Sequence, residues 1–306
     1  MRYMFKEIFT SALFMSMACY PAIAGKLTWN LKQLSTAPKV YPATKYAQPG
    51  VKAIFYQGPE YNGRPTTVFA YVGMPEKRSG KVPAMVLVHG GAGTAIPEWV
   101  RIWNKRGYAA IAMDTCGAIS INEKRKTIRN KEGGPGGWGS FGQMYYGSPK
   151  DRDLWTWQAV AQIILANSLL RSMPEVDQNR IGITGISWGG YLTCIAAAAD
   201  NRFKIAIPVY GCGFLYETPR YKGIIDKKAK IKQRWLTTCD PSLYIANAKM
   251  PFLWLNGTND FAFTLNAWQK TYQLQSGGKT LCVRKNMPHG YVPGWSPKEI
   301  YAFADM

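Results

Sequence analysis

Apolar positions along this chain fall into two alternating rhythms, short continuous runs and longer stretches at helical spacing. Residues 51–56 and 66–72 are extended, β-branched and aromatic, and Gly58, Asn62, Gly63 and Pro65 between them predict an antiparallel hairpin. The run 83–88 is apolar throughout, as expected of a strand covered on both faces, and it stops at His89-Gly90-Gly91. Helical spacing follows over 96–105, Gly107 ends it, and 108–113 reads as a second buried strand that stops at Asp114.

Further along, 151–171 has the spacing of a long amphipathic helix, and Pro174-Glu175-Val176-Asp177 marks a turn before a strand over 180–184. A helix starts near Trp188. Strands are then expected at 203–209, 252–255 and 279–283, and a short helix over 297–306. Strands alternating with helices indicate an α/β class, with a mostly parallel central sheet and helices on both faces. Two stretches interrupt the alternation. Residues 117–150 are Gly-rich, basic and aromatic without a sustained period, as functional loops are. The lysine-rich stretch 214–249 reads as a small cap or insertion between two core strands. With 306 residues, 47% of them hydrophobic, one α/β domain over 25–306 is expected rather than two independent cores.

The start of the chain changes the picture of where the protein works. Arg2 and Lys6 precede a mostly apolar run over 8–19, and Ala22-Ile23-Ala24 offers a small-x-small cleavage site before Gly25, so 1–24 reads as an export signal. The run is too short to span a bilayer, and stable membrane insertion is not expected. Acylation of Cys19 is disfavoured by Ser16, which stands where a branched apolar residue would be needed. A secreted or periplasmic location follows.

The formal charge is +20, and the positive residues bunch in Lys124-Arg125-Lys126 with Arg129 and Lys131, and again from Lys222 through Arg234. Such runs usually form solvated faces, and here they also suit an acidic polysaccharide or an anionic envelope. Nucleic acid is not expected, because neither run belongs to a recognisable binding motif and the chain carries an export signal. Removing the leader leaves five cysteines, an odd number whose pairing spacing cannot choose. No cofactor or metal is expected: there is no C-x-x-C pair, and His89 and His289 are the only histidines.

The strongest chemical signal is Gly185-Ile186-Ser187-Trp188-Gly189-Gly190, set between a buried strand and an Ala-rich helix. A strand that reverses directly into a helix strains the serine backbone and leaves no room for side chains at Gly185 or Gly189, while it lifts the hydroxyl clear of the sheet. A serine needs a base to take its proton, and histidine suits because its ordinary pKa lies near working pH. His289, in a loop beyond the last strand, fits that task by chain order. His89 ends a strand inside a backbone-exposing turn and is better suited to holding it.

The group that orients the base belongs after the preceding strand, where Asp260 follows Asn256-Gly257-Thr258-Asn259. Asp260 also suits an Asx turn or a helix cap before Phe261. Asp240 and Asp114 are weaker rivals, the first inside the presumed cap and the second upstream of the serine. In His89-Gly90-Gly91-Ala92-Gly93, the backbone of Gly91 or Ala92 is placed to share an oxyanion hole with that of Trp188.

The order Ser187, Asp260, His289, with the HGG turn and the serine elbow, resembles the α/β-hydrolase superfamily over nearly the whole chain beyond the leader. Within it, residues 171–191 (RSMPEVDQNRIGITGISWGGY) resemble the acetyl-xylan-esterase and prolyl-oligopeptidase-like branch, which is related to the dienelactone hydrolases. That resemblance implies hydrolysis of esters or peptides through an acyl-serine. The chain departs from the cephalosporin-C type of sugar deacetylase at Asp114-Thr115-Cys116-Gly117, where those enzymes carry R-G-Q, and at Gly290, where they carry Glu. It has no room for the propeller of true prolyl oligopeptidases.

The expected function is therefore a secreted carboxylic-ester hydrolase acting on an acylated polysaccharide or a small ester. An exported serine peptidase and a silent carbohydrate-binding homologue are the alternatives. Trp138, Phe141, Tyr145, Tyr146 and Trp155 are candidates either for stacking on sugar rings at a pocket mouth or for plain packing.

Overall fold

The apolar runs pair side by side. A computed structural model of the chain describes residues 26–91, 93–122, 126–136, 150–226 and 236–306, with the side chains of 224–226 left aside. After a short helix α1 (Leu31–Leu34), strands β1 (Val40–Pro42), β2 (Lys52–Tyr61), β3 (Arg64–Gly73), β4 (Val82–Val88) and β5 (Ala109–Met113) follow, with helix α2 (Pro97–Asn104) between the last two. A small hairpin, β6 (Ala118–Ser120) with β7 (Thr127–Arg129), stands apart from the main sheet.

Helix α3 (Trp155–Ser172), β8 (Val176–Ile186), α4 (Trp188–Ala199), β9 (Ala206–Val209), α5 (Pro219–Asp226), β10 (Phe252–Gly257), α6 (Leu265–Leu274), β11 (Lys279–Arg284), α7 (Tyr291–Trp295) and α8 (Lys298–Asp305) complete the order. The main sheet runs β1-β2-β3-β5-β4-β8-β9-β10-β11. From β5 to β11 every neighbouring pair is parallel, whereas β1, β2 and β3 add on in antiparallel fashion. The order turns back between β4 and β8, and in open α/β sheets such a reversal opens a crevice at the carboxyl ends of the strands.

Burial explains the sequence patterns. Every residue of β5, β9 and β10 is buried, consistent with strands covered on both faces, while the alternating burial of β2 marks a strand half open to solvent. β11, at the edge, is exposed along most of its length. Helix α3 corrects the expectation of an amphipathic helix. Gln158, Gln162, Asn167 and Ser168 look like a polar face, yet all are buried.

Three of these side chains, those of Gln158, Asn167 and Ser168, carry hydrogen bonds that a solvated face would not need. Gln158 Nε2 donates to the carbonyls of Glu60 and Arg152, Ser168 Oγ donates to that of Leu34, and Asn167 Nδ2 donates to the Asp200 carboxylate. Polar atoms satisfied in this way can be packed inside without the desolvation cost of an unmade bond.

The expected loop over 117–150 contains the β6–β7 hairpin. Arg129, counted above among the basic residues of that loop, donates to the carbonyls of Cys116, Gly117, Gly133 and Gly134. It ties the loop together rather than facing an acidic partner. Lys124, Arg125 and 227–235 lie outside the described residues, as do the leader and the aromatics Trp138, Phe141, Tyr145 and Tyr146.

The described parts of 214–249 hold α5 and short helical turns. No helix among the described residues is long and apolar enough to cross a membrane. Among the described residues no disulfide joins two cysteines, and Cys194, Cys212 and Cys282 carry free thiols.

Asp200, fully buried after α4, accepts from Asn167 Nδ2 (3.0 Å) on α3 and from Arg202 Nε and Nη2 (2.8 and 2.7 Å). Asp200→Ala strands both partners at the interface between the two helices. Urea denaturation is expected to show a loss of about 3 kcal/mol or more, as when one member of a buried charged pair is removed. A variant as stable as the parent would show that this contact does not hold α3 to α4.

Candidate active site

Between β8 and α4 a single residue makes the reversal. Ser187 takes φ 61° and ψ −120°, a conformation L-residues avoid at a cost of about 1–3 kcal/mol. Its N–H donates to the Val209 carbonyl (2.9 Å) and its carbonyl accepts from Tyr191 N–H (3.0 Å), so neighbours on both sides hold it there. A Cβ on Gly185 would lie 2.2 Å from the Gly189 carbonyl oxygen, and one on Gly189 would lie 2.0 Å from that of Val88. Only glycine lets strand, turn and helix pack this closely.

His289 follows β11 in the loop that leads to α7. Its Nε2 stands 2.9 Å from Ser187 Oγ, and its Nδ1 stands 2.6 Å from Asp260 Oδ2. An ionised carboxylate can only accept, so Nδ1 carries the proton and Nε2 keeps a lone pair facing the serine hydroxyl. The second carboxylate oxygen, Oδ1, accepts from the N–H groups of Ala262 (2.9 Å) and Phe263 (2.7 Å). Asp260 therefore makes the local turn considered above and also meets His289. The two readings are the two oxygens of one side chain, which is wholly buried.

Gly90 passes beside the serine, since a Cβ there would lie 3.1 Å from Ser187 Cβ and 2.8 Å from the Ile186 carbonyl oxygen. Gly91 follows it, whereas Ala92 lies outside the described residues. Trp188 is the first residue of α4, where backbone N–H groups face out along the axis at the positive end of the helix dipole. The Trp188 ring is buried, packed edge-on to Trp155, Tyr191, Tyr221 and Phe263.

His89 is buried apart from the serine. Its Nε2 accepts from Thr115 N–H (2.9 Å), which leaves Nδ1–H to donate to the Gly90 carbonyl (2.7 Å). Burial lowers its pKa, so the ring is neutral and ties the glycine turn to the end of β5. Asp240 is also turned inward, accepting from the N–H groups of Phe214, Leu215 and Ser242. Trp155, offered above for sugar stacking, is instead buried and donates from Nε1 to the Thr115 carbonyl (2.8 Å). Among the described residues no cluster of three or more His, Cys, Asp or Glu side chains could hold a metal ion.

Residues 39–242 match the family described as Acetyl xylan esterase (AXE1). The chain belongs to the acetyl xylan esterase (AXE1) family. Membership places it among the carboxylic-ester hydrolases. This family member is similar to a solved acetyl xylan esterase from Paenibacillus sp. R4, with a TM-score of 0.70 and 22% identity over 90% of this chain and 92% of that one. It is also similar to acetyl xylan esterase 1 from Thermoanaerobacterium sp. JW/SL YS485, with a TM-score of 0.67 and 16% identity over 92% and 95% of the two chains.

The acylaminoacyl peptidase of Pyrococcus horikoshii shares the fold with a TM-score of 0.63 and 19% identity, over 84% of this chain but 41% of its own. At these identities the likeness establishes the fold, that of the α/β hydrolases, and not the activity. A curated relative, the 4-O-methyl-glucuronoyl methylesterase of Podospora anserina, is 30% identical over 95 residues. That match covers 30% of this chain and spans 20% of the relative's length.

Sequence reasoning missed Tyr210. Directly after β9 its backbone sits at φ 64°, its ring stacks on the His289 imidazole (centroids 4.6 Å apart, planes at 28°), and its hydroxyl donates to the Pro288 carbonyl (2.8 Å). Nothing in the hydrophobic pattern marks it, because a buried tyrosine after a buried strand looks like ordinary core. Tyr210→Phe keeps the ring and removes the anchor on the residue before His289. Steady-state kinetics on an ester should show kcat reduced about tenfold, the scale of one buried hydrogen bond, with KM changed by less than about twofold. An unchanged kcat would mean the hydroxyl does not fix the histidine loop.

Proposed function

We propose that this family member is a carbohydrate esterase that removes acyl groups, acetyl above all, from hydroxyls of a polysaccharide through an acyl-serine intermediate. What carries the reading is the continuous hydrogen-bonded line from Asp260 through His289 to Ser187, in a chain that belongs to a family of ester hydrolases. The sugar component draws on the family and on the names of its relatives, two of them acetyl xylan esterases and one a glucuronoyl methylesterase.

In this mechanism Ser187 Oγ attacks the ester carbonyl while His289 Nε2 takes its proton, and the Asp260 carboxylate stabilises the imidazolium that forms. The carbonyl oxygen becomes an oxyanion, received by the backbone N–H of Trp188 and by that of Gly91 or Ala92. Such preorganised donors contribute several kcal/mol in a site closed to water. When the intermediate collapses, the sugar oxygen leaves and takes the proton from His289. Water then attacks the acyl-serine carbonyl, gives a proton to His289, and the acid departs as Ser187 regains its hydrogen. Residues 1–24 act as the leader that delivers the enzyme to the polymer outside the cytoplasm.

Ser187→Ala and His289→Ala should each lower kcat on 4-nitrophenyl acetate and acetylated xylan by at least about 10³-fold, and Asp260→Asn by less, through loss of the favoured tautomer. Melting temperatures should stay close to the parent value. Full activity in either the serine or the histidine variant contradicts the assignment, and turnover of Xaa-Pro amides in preference to esters would turn it towards a peptidase.

A further inference from the structure

Asp260 does more than face His289. By accepting from the N–H groups of Ala262 and Phe263, its Oδ1 fixes a tight turn. Ala262 and Phe263 turn into the core, and Phe261 is thrown outward with 57% of its surface exposed. A lone exposed apolar side chain is ordinary. This one is not alone. Its ring centroid lies 5.2 Å from that of the His289 imidazole, at 59°, and Arg220 Cζ lies 5.1 Å from the Phe261 ring centroid.

Arg220 comes from the first turn of α5. Its guanidinium is held against the aromatic face by the ring quadrupole. It is also tied by a hydrogen bond to the side chain of its neighbour Tyr221, whose ring packs edge-on to Trp188 at the serine elbow. Aromatic surface and guanidinium are thus anchored to the same framework that positions Ser187 and His289.

We propose that Phe261 and Arg220 form a saccharide subsite at the mouth of the active site, for a sugar bearing a carboxylate next to the acylated sugar. The inference rests on the carbohydrate-esterase reading and narrows its substrate to acetylated polysaccharides that carry uronic acids. The exposed Phe261 ring offers an apolar platform for the C–H face of a pyranose beside the imidazole. The planar fork of Arg220 matches a carboxylate, which two parallel N–H donors can hold in a fixed orientation.

The charges around Arg220 favour the same partner. The carboxylate of Glu217, in the short turn that precedes α5, is paired with Lys270 (2.6 Å). Lys222, on the same helix as Arg220, is exposed and adds positive charge to this face. Across the chain the excess of positive charge is +20, which raises the local concentration of an anionic polymer without choosing where it docks. The Phe261–Arg220 pair supplies that choice.

The test compares acetate release from acetylated glucuronoxylan with release from the same polymer after its carboxyl groups have been reduced to alcohols, at fixed ionic strength. The parent enzyme should show kcat/KM at least about tenfold higher on the acidic polymer, the value of one hydrogen-bonded charge contact. Arg220→Gln should bring that ratio to within about twofold of unity, mainly through KM. Arg220→Lys should restore part of it, because a point charge replaces the fork. Phe261→Ala should lower kcat/KM on both polymers relative to 4-nitrophenyl acetate by about tenfold, the scale of a lost aromatic contact at a binding site.

Lys52→Gln, on the antiparallel side of the sheet, should leave the ratio where it was. If the parent does not prefer the acidic polymer, or if Arg220→Gln keeps the preference, the subsite is wrong while the esterase reading stands. If Lys52→Gln erases the preference as fully as Arg220→Gln does, general charge attraction replaces the subsite. No acetate release from either polymer by the parent enzyme would instead remove the carbohydrate-esterase reading, and the subsite with it.

Discussion

At Ser187 the chain passes from strand to helix with no residue to spare, and the backbone conformation this forces is the constraint on which the site depends. An unstrained serine would sit in line with β8 and turn its hydroxyl into the sheet. At φ 61° Ser187 closes the turn between β8 and α4, and its hydroxyl stands 2.9 Å from His289 Nε2. Strain of this kind persists only where surroundings over-determine it. Here they do, through the bond of Ser187 N–H to Val209 and through the absence of side chains at Gly185 and Gly189, where a Cβ would meet backbone at 2.2 and 2.0 Å. Once the elbow is set, the parallel order of β8, β9 and β10 brings the loops after β10 and β11 to the same rim, and Asp260 and His289 arrive there from distant parts of the sequence.

How much of this was legible in the sequence depended on whether a signal was local. The buried runs of β4 and β5, the hairpin of β2 and β3, and the serine elbow are written in consecutive residues, and they lie where the pattern places them apart from shifts at their ends. Asp260 and His289 were singled out by chain order and by position after strands, because so few histidines left little choice, and the fold brings them within hydrogen-bond reach of each other. Three features escaped for want of a local mark. Helix α3 carries polar residues that mimic a solvent face, and only the carbonyls of Glu60, Arg152 and Leu34 brought against them reveal why they can be buried. Trp155 looked available to a ligand but serves the core. Tyr210 depends on a contact with Pro288 across 78 residues of chain, and no window of sequence contains both partners.

Division of labour among buried polar groups gives the site its chemistry. His89, neutral and buried, organises the glycine turn after β4, while His289, open on one side, faces the serine. Asp240 spends its carboxylate on three backbone N–H groups, those of Phe214, Leu215 and Ser242, and Asp260 divides its two oxygens between a turn and an imidazole. The same residue types thus differ in whether all of their hydrogen-bonding capacity is absorbed by the protein. That distinction concerns partners, and it becomes visible only when the fold has brought them together.

The most direct measurement of the central claim is covalent labelling with a fluorophosphonate, followed by mass mapping of the modified peptide. The account predicts one modified residue, Ser187, in the folded parent protein, with labelling slowed severely when His289 is replaced by alanine. A folded sample that resists the reagent, or a label found on another residue, would contradict it.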